Sequence, residues 1–403
     1  MKISISKEAS AYLRYNKSLS RKWEKTFYRK PKYMDIFYHI PMGDEYHVIK
    51  LEDIYEPVLY LDKEAYDFIS LLDGLNTFNE AWEKHAQLYP GSSKSEALDL
   101  LGKLDFLDLI IEGVVDDSAI DVSTNYYQRQ ERQVRFFAHF ETDKFNRWDY
   151  QKKIKDSKII VLGAGGTGSQ ALLYLAASGF INITCVDFDN VEVTNLNRQI
   201  IYKQEDVGKS KIFQAEKRMK EFNPEVNFNA IHEKISNTDR IIELMKGHDL
   251  CFCCADVPPI LIRKKINLAS LIAKIPVIYG GIYADHVNIG PLVVPYKTGC
   301  FSCWNEARKQ INPDYEKYLA YILEKEEKTG TSASNVWLYG TTGAGIAMGI
   351  GGMVMDVMRY ISGYSTPVTM GKQLKINLLS LDIEKINWPR IDSCPDCGKN
   401  INF

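Results

Sequence analysis

The chemistry legible in this chain rests on four glycines, an aspartate after them, a spaced set of polar and cationic residues, and two pairs of cysteines. Residues 159–170 read IIVLGAGGTGSQ, an apolar strand running into Gly163, Gly165, Gly166 and Gly168. Glycines so spaced let the backbone turn tightly and approach phosphate oxygens, and the helix starting near Thr167 turns its free amides and positive dipole end toward them. A second apolar strand, ITCVDFDN, ends on Asp187, an acid placed to accept from ribose hydroxyls. A unit of this kind serves enzymes that carry a hydride and enzymes that split ATP equally well.

The residues beyond Asp187 separate the two. The stretch VDFDNVEVTNLNRQIIYKQEDVGKSK sets Asn195, Arg198 and Lys211 in the loop and helix start after the second strand. Nicotinamide chemistry has no need of fixed cations there, whereas a triphosphate must be neutralised before a carboxylate attacks its α-phosphorus. Any one of the three could be an ordinary surface residue; the set in this order points to phosphate. Asp256, in LCFCCAD, ends the next long apolar strand at the same edge of the sheet. Beside phosphates it would ligate Mg²⁺, which prefers one or two carboxylates plus phosphate oxygens; away from them it would be a helix cap.

GCFSCW supplies Cys300 and Cys303, and SCPDCG supplies Cys394 and Cys397. Two CxxC pairs beside glycine or proline turns suit a tetrahedral zinc site, because one turn presents both thiolates. Four thiolates leave no position open for water, so such an ion would be structural and would staple the C-terminal tail to the domain. Redox chemistry and disulfides are the alternatives. Cys185, Cys251, Cys253 and Cys254 lie on or at the ends of apolar strands and read as core residues.

These residues need an α/β scaffold. From about Ile154 the pattern alternates strand and helix, which specifies a mostly parallel sheet covered on both faces. Residues 1–120 have another rhythm: short strands MDIFYHI, YHVIKL and PVLYL, then three amphipathic helical patterns with Asp62, Thr77 and Ser93 as N-caps and Gly74 as a helix stop. The domain boundaries read as 1–120 for this module, 121–153 for a polar connector and 154–403 for the nucleotide domain.

Composition narrows the partners. Fifty basic against 52 acidic residues leave no field that would point to nucleic acid. The N-terminus has no apolar core or cleavage site and reads as mature cytoplasmic sequence. WLYGTTGAGIAMGIGGMVM falls close to spanning length, but its glycines suit a buried helix packed on a sheet, so no membrane partner is expected.

From about Arg132 onward the chain resembles the ubiquitin-activating-type adenylating enzymes of the ThiF and MoeB family, in GAGGTGS, DFDNVEVTNLNRQ, DVGKSK, the AD after the fourth strand and the closing CxxC pairs. The resemblance implies ATP, Mg²⁺ and structural Zn²⁺. It places Gly163, Gly165, Gly166, Gly168, Asp187 and Asp189 around the nucleotide, Asn195, Arg198 and Lys211 on the phosphates, and Asp256 on the magnesium. The family's RYxRQ motif carries an arginine that crosses a homodimer interface to the partner's nucleotide. ERQVRFF, with Gln133 in place of the tyrosine, puts Arg135 in that role.

In layout the chain is similar to the branch containing the microcin C peptide adenylyltransferase and the pantocin A maturation enzyme, where a winged-helix-like peptide clamp precedes the adenylation domain. That branch implies adenylation of a carboxylate on a ribosomally made precursor peptide, with an internal nucleophile attacking the acyl-adenylate. No cysteine occurs from Trp304 to Ser393, where thioester-forming relatives need one. The alternative is activation of the C-terminus of a ubiquitin-like sulfur carrier in thiamine or molybdopterin type cofactor biosynthesis. A clamp would work by strand addition, with an exposed edge such as YHVIKL pairing with an extended leader; otherwise the module serves dimer contacts.

Overall fold

The computed structural model describes residues 1, 3–5, 30–33, 37–50, 53–107, 109–113, 121, 124–142, 144–235, 237–331 and 340–398. The chain divides into two compact units, Met1–Asp149 and Tyr150–Phe403.

In the first unit, β1 (Ile3–Ile5), β3 (Phe37–Met42), β4 (Glu45–Lys50) and β5 (Asp53–Asp62) form an antiparallel sheet in the order β1-β5-β4-β3, and β2 (Pro31–Tyr33) pairs with β6 (Ile110–Glu112). Three helices follow β5: α1 (Lys63–Ser70), α2 (Phe78–Leu88) and α3 (Lys94–Phe106). Ala65, Phe68 and Ile69 bury one face of α1, with Leu72 just beyond it, in one core with Val48, Leu59 and Leu61 of the sheet. The α1 start is set by Asp62, whose carboxylate accepts from the Ala65 amide at 2.8 Å, and α2 by a reciprocal Thr77–Glu80 capping box. Ser93 holds the N-cap position of α3 but makes no cap bond, since its hydroxyl lies 2.6 Å from that of Ser95. Gly74, at φ +80°, turns the chain beyond α1 where a Cβ would stand 2.7 Å from the Gly113 Cα.

YHVIKL does not offer a free edge. Its residues Tyr46 to Lys50 lie in β4, which pairs with β5 on one side and β3 on the other; among the described residues the outer strands of this sheet are β1 and β3. The segment after β6 carries α4 (Asn125–Ala138) and belongs to the first unit. Arg147 ties it there, donating to both Glu141 carboxylate oxygens at 2.6 and 2.9 Å and to the Glu112 carbonyl at 2.7 Å. The division between the two units falls just beyond, between Asp149 and Tyr150.

Helix α5 (Arg147–Asp156) leads to β7 (Lys158–Leu162), α6 (Gly166–Ala177), β8 (Asn182–Asp187), α7 (Lys211–Phe222), β9 (Asn227–His232), α8 (Thr238–Met245), β10 (Leu250–Cys253), α9 (Pro259–Ala273) and β11 (Val277–Ile282). After these come β12 (His286–Val293), α10 (Phe301–Ile311), α11 (Tyr315–Thr329), α12 (Gly343–Ser362), β13 (Lys372–Asn377) and β14 (Ile383–Asn387). The eight strands order as β14-β13-β12-β11-β10-β7-β8-β9; β11 to β9 run parallel, and β12 to β14 add antiparallel strands at one side. The order reverses at β7, and such a switch opens a crevice at the strands' carboxyl ends. The glycine-rich α12 is apolar and long enough to span a membrane by length and composition alone. It packs on the sheet, where a Cβ at Gly349 or Gly352 would stand 2.7 or 2.5 Å from Val287 or Ile289.

Candidate nucleotide and metal sites

A cleft of about 930 Å³ opens at this switch point. Its lining brings together Gly163, Gly165, Gly166, Asp187, Asp189, Asn195, Arg198, Lys211 and Asp256, contributed by loops after β7, β8 and β10. Local hydrogen bonds explain the convergence. Asp187 is buried at the end of β8; one carboxylate oxygen accepts from the Ala164 amide at 2.7 Å and the other from the Asp189 amide at 2.8 Å. Burial raises its pKa, and those amides and Lys211 offset part of the rise. The Tyr202 hydroxyl donates to the Ala164 carbonyl at 2.9 Å, fixing the other side of the glycine loop.

The glycines divide by task. Gly163, at φ +101°, lies where a Cβ would be 2.8 Å from the Cys254 carbonyl oxygen. Gly168 does not line the cleft: a Cβ there would fall 1.8 Å from the Gly163 carbonyl oxygen, so this position serves the close approach of α6 to its own loop. Gly165 and Gly166 face the cleft at the start of α6, where free amides and the helix dipole favour an anion.

Lys211 begins α7 with its side chain only 8% exposed and Nζ 3.0 Å from Asp189 Oδ2. Asn195 closes a 3₁₀ turn by accepting from the Glu192 amide at 3.1 Å. Arg198 follows, donating from Nη1 to the Thr194 carbonyl at 2.7 Å, while Gln170 of α6 donates to the Arg198 carbonyl at 2.9 Å. Asp256 is open to the water of the cleft yet surrounded by protein on most sides; that surround raises its pKa, and Arg263 and Lys211 pull it back. A carboxylate facing two cations in a glycine-walled cleft fits a magnesium triphosphate: cations for the phosphates, a hard oxygen ligand for the metal.

Among the polar cleft residues that escaped the sequence reading are Gln199, Arg263, Tyr283 and Lys234. Arg263 stands in a run with Lys264 and Lys265, and no local signal distinguishes the one that turns inward. Burial works against its charge, but Tyr283, Cys253 and Asp256 outweigh it and hold its pKa up. Arg135 is not in the lining of this chain's own cleft; it is exposed on α4 and ion-paired with Glu131.

Cys300, Cys303, Cys394 and Cys397 come together, their sulfurs all within 4.8 Å of one another. The separations of 3.9, 3.7 and 3.4 Å between Cys300 and Cys303, Cys300 and Cys394, and Cys303 and Cys397 are close to the ~3.8 Å edge of a tetrahedron with Zn–S bonds of ~2.3 Å. The donor set therefore fits zinc. Around it, the Trp388 indole donates to the Cys300 carbonyl at 2.9 Å, and Asp396 accepts from Asn267 at 3.0 Å and Ser302 at 2.5 Å. These bonds sew the tail to α9 and α10. Burial raises the other four thiols, Cys253 to about 12, so they stay protonated and weakly nucleophilic.

Residues 130–397 match the ThiF family. The chain belongs to that family. Curated ThiF relatives are named as adenylyltransferases, and the chain is an adenylating enzyme of this type. It is 25% identical over 254 residues to the molybdopterin-synthase adenylyltransferase of Escherichia coli, covering 62% of this chain and 91% of the relative. With the sulfur carrier protein adenylyltransferase of Thermus thermophilus it shares 27% over 250 residues, 62% of this chain and 84% of that one. The fold also superimposes on E. coli MccB, solved with AMPCPP and MccA, at a TM-score of 0.68 and 23% identity, covering 91% of this chain and 99% of that one.

Proposed function

We propose that this ThiF-family enzyme adenylates a carboxylate of a ribosomally made precursor peptide. A carboxylate oxygen attacks the α-phosphorus of ATP, pyrophosphate leaves with the electron pair of the broken P–O bond, and an internal nucleophile of the peptide then displaces AMP from the acyl-adenylate. The observation that carries this reading is the extent of the likeness. The sulfur-carrier relatives match 62% of the chain, about the share of the second unit, whereas the MccB fold covers 91% and so extends into the first. MccB was solved with MccA, and a related N-terminal fold here supports a related kind of substrate.

ATP supplies the electrophilic phosphorus and the leaving group. The chain's residues do the rest: Gly165 and Gly166 present amides to the phosphates, Arg198 and Lys211 with Asn195 balance the charge that grows on the leaving oxygens, and Asp187 and Asp189 stand by the ribose. Asp256 holds Mg²⁺, and the four cysteines hold a structural Zn²⁺ that fastens the tail. The active unit is a cytoplasmic homodimer in which Arg135, in the connector 121–153, reaches the partner's nucleotide, and the N-terminal module, residues 1–120, clamps the leader.

The names of the curated relatives favour a second reading, activation of a ubiquitin-like sulfur carrier. ATP–pyrophosphate exchange decides between them. Run with peptides encoded beside the gene and with a carrier ending in Gly-Gly, and read by mass spectrometry, it should respond to a peptide; exchange with the carrier alone rejects the peptide reading.

A further inference from the structure

One side chain joins the two cysteine pairs. Asn267, on α9, is completely buried; its Oδ1 accepts from the Phe301 amide at 2.8 Å, and its Nδ2 donates to Asp396 Oδ2 at 3.0 Å. Phe301 lies between Cys300 and Cys303, and Asp396 between Cys394 and Cys397, so a single carboxamide clasps the inside of both CxxC turns. The place demands an amide, because one partner gives a proton and the other is a carboxylate that takes one. Aspartate there would set two carboxylates against each other, and leucine would leave the Phe301 amide unpaired.

The same helix reaches the nucleotide cleft. Arg263 stands one turn before Asn267, at i and i+4 on one face of α9, and lines the cleft with Asp256. A cavity of about 40 Å³ is walled by both regions: by Arg263 and Tyr283, which also line the cleft, and by Phe301 and Trp388 from around the cysteines. Ile262, Ile266 and Ala269 of the helix share one core with the four cysteines. The start of α9 is fixed separately, by the buried Glu326 of α11, which accepts from the Ile260 and Leu261 amides at 3.1 and 2.8 Å. Held at its first turn, the helix is set beyond that turn by the core it shares with the cysteines and by the Asn267 clasp.

We infer that Asn267 is a positioning residue that couples the cysteine site to the nucleotide site. With the metal in place, the clasp fixes the roll of α9 and keeps Arg263 turned into the cleft, so zinc and nucleotide each bind more tightly when the other is present. This rests on the zinc and nucleotide assignments proposed above. Such coupling is reciprocal, so the effect of nucleotide on zinc also measures the effect of zinc on nucleotide.

The test reads zinc, not turnover. The full, zinc-loaded chain is equilibrated with the chelator pyridylazoresorcinol, with and without saturating Mg²⁺ and AMPCPP, whose own binding is followed by calorimetry. AMPCPP should tighten zinc retention by roughly 5-fold or more. Asn267→Leu should weaken zinc and also abolish the AMPCPP effect. Ser302→Ala, which removes a hydroxyl donating to Asp396 without touching α9, should weaken zinc yet keep the effect. Arg263→Met should abolish the effect from the cleft end, and it decides the matter alone if Asn267→Leu does not fold. AMPCPP binding that leaves zinc retention unchanged overturns the coupling and leaves both sites standing. An effect that persists in Asn267→Leu or Arg263→Met, or is lost from Ser302→Ala as well, overturns the route through Asn267. A purified chain without zinc, or one that does not bind AMPCPP, rejects the corresponding site and the coupling with it.

Discussion

Lys211→Ala should slow ATP–pyrophosphate exchange by roughly 10² to 10³ while barely changing stability. The two effects separate because of where the charge sits. The lysine side chain is 8% exposed and faces the cleft, but its ion-pair partner Asp189 is 48% exposed. When the lysine is cut back, that carboxylate returns to water, so the structural loss is that of a half-exposed ion pair, about 0–1 kcal/mol. The α7 start survives, because the Lys211 backbone amide still donates to the Asp189 carbonyl at 2.8 Å. The charge growing on the departing pyrophosphate finds no such substitute, and a missing donor aimed at developing charge costs about 2.7–4 kcal/mol of barrier. Exchange rates beside urea unfolding of the same samples measure both. Near-normal exchange would sink the phosphate role, and equal losses of rate and unfolding free energy would make Lys211 a structural residue.

Gly168→Ala should impair folding of the second unit far more than Gly165→Ala, because the added methyl would stand 1.8 Å from the Gly163 oxygen in one case and meet nothing closer than 3.9 Å in the other; thermal melts of both variants check this. Cys397→Ser should lose zinc measured by metal analysis and loosen the C-terminal tail toward proteases, since binding to such a site is folding free energy. Cys251→Ala should keep the metal and lose about 1–2 kcal/mol or less of stability in a urea titration. A chain starting near residue 123 should retain ATP binding but lose most affinity for its precursor by calorimetry and much of its turnover, because remote binding energy orients the reacting carboxylate; equal affinities would leave residues 1–120 as an assembly module.

Local pattern carried much of the site. The glycine spacing, the acid ending β8 and the order Asn195, Arg198, Lys211 are set by neighbours within a few residues, through caps and turns such as the Asn195–Glu192 bond. The cysteine quartet was legible because each CxxC presents two thiolates in one turn, although 90 residues separate the pairs. Gly168 read as a ligand-facing glycine like the others; its task depends on how closely α6 approaches its own loop. Arg263, Gln199 and Tyr283 carried no local mark, because they reach the cleft from helix, loop and strand ends joined only by the folded sheet.

By itself, then, the chain's sequence determined a glycine loop after an apolar strand, a mostly parallel sheet and a cluster of four thiols, since each follows from short-range sterics, hydrophobic period and donor chemistry. Tertiary structure decided that β4 is an interior strand while β3 lies outermost among the described strands, that the connector is tied to the first unit through Arg147, and that Arg263 and Tyr283 meet in the cleft. Those outcomes depend on which strands pair across long loops. Pairing partners compete on packing over the whole domain, a term that no local window of residues contains.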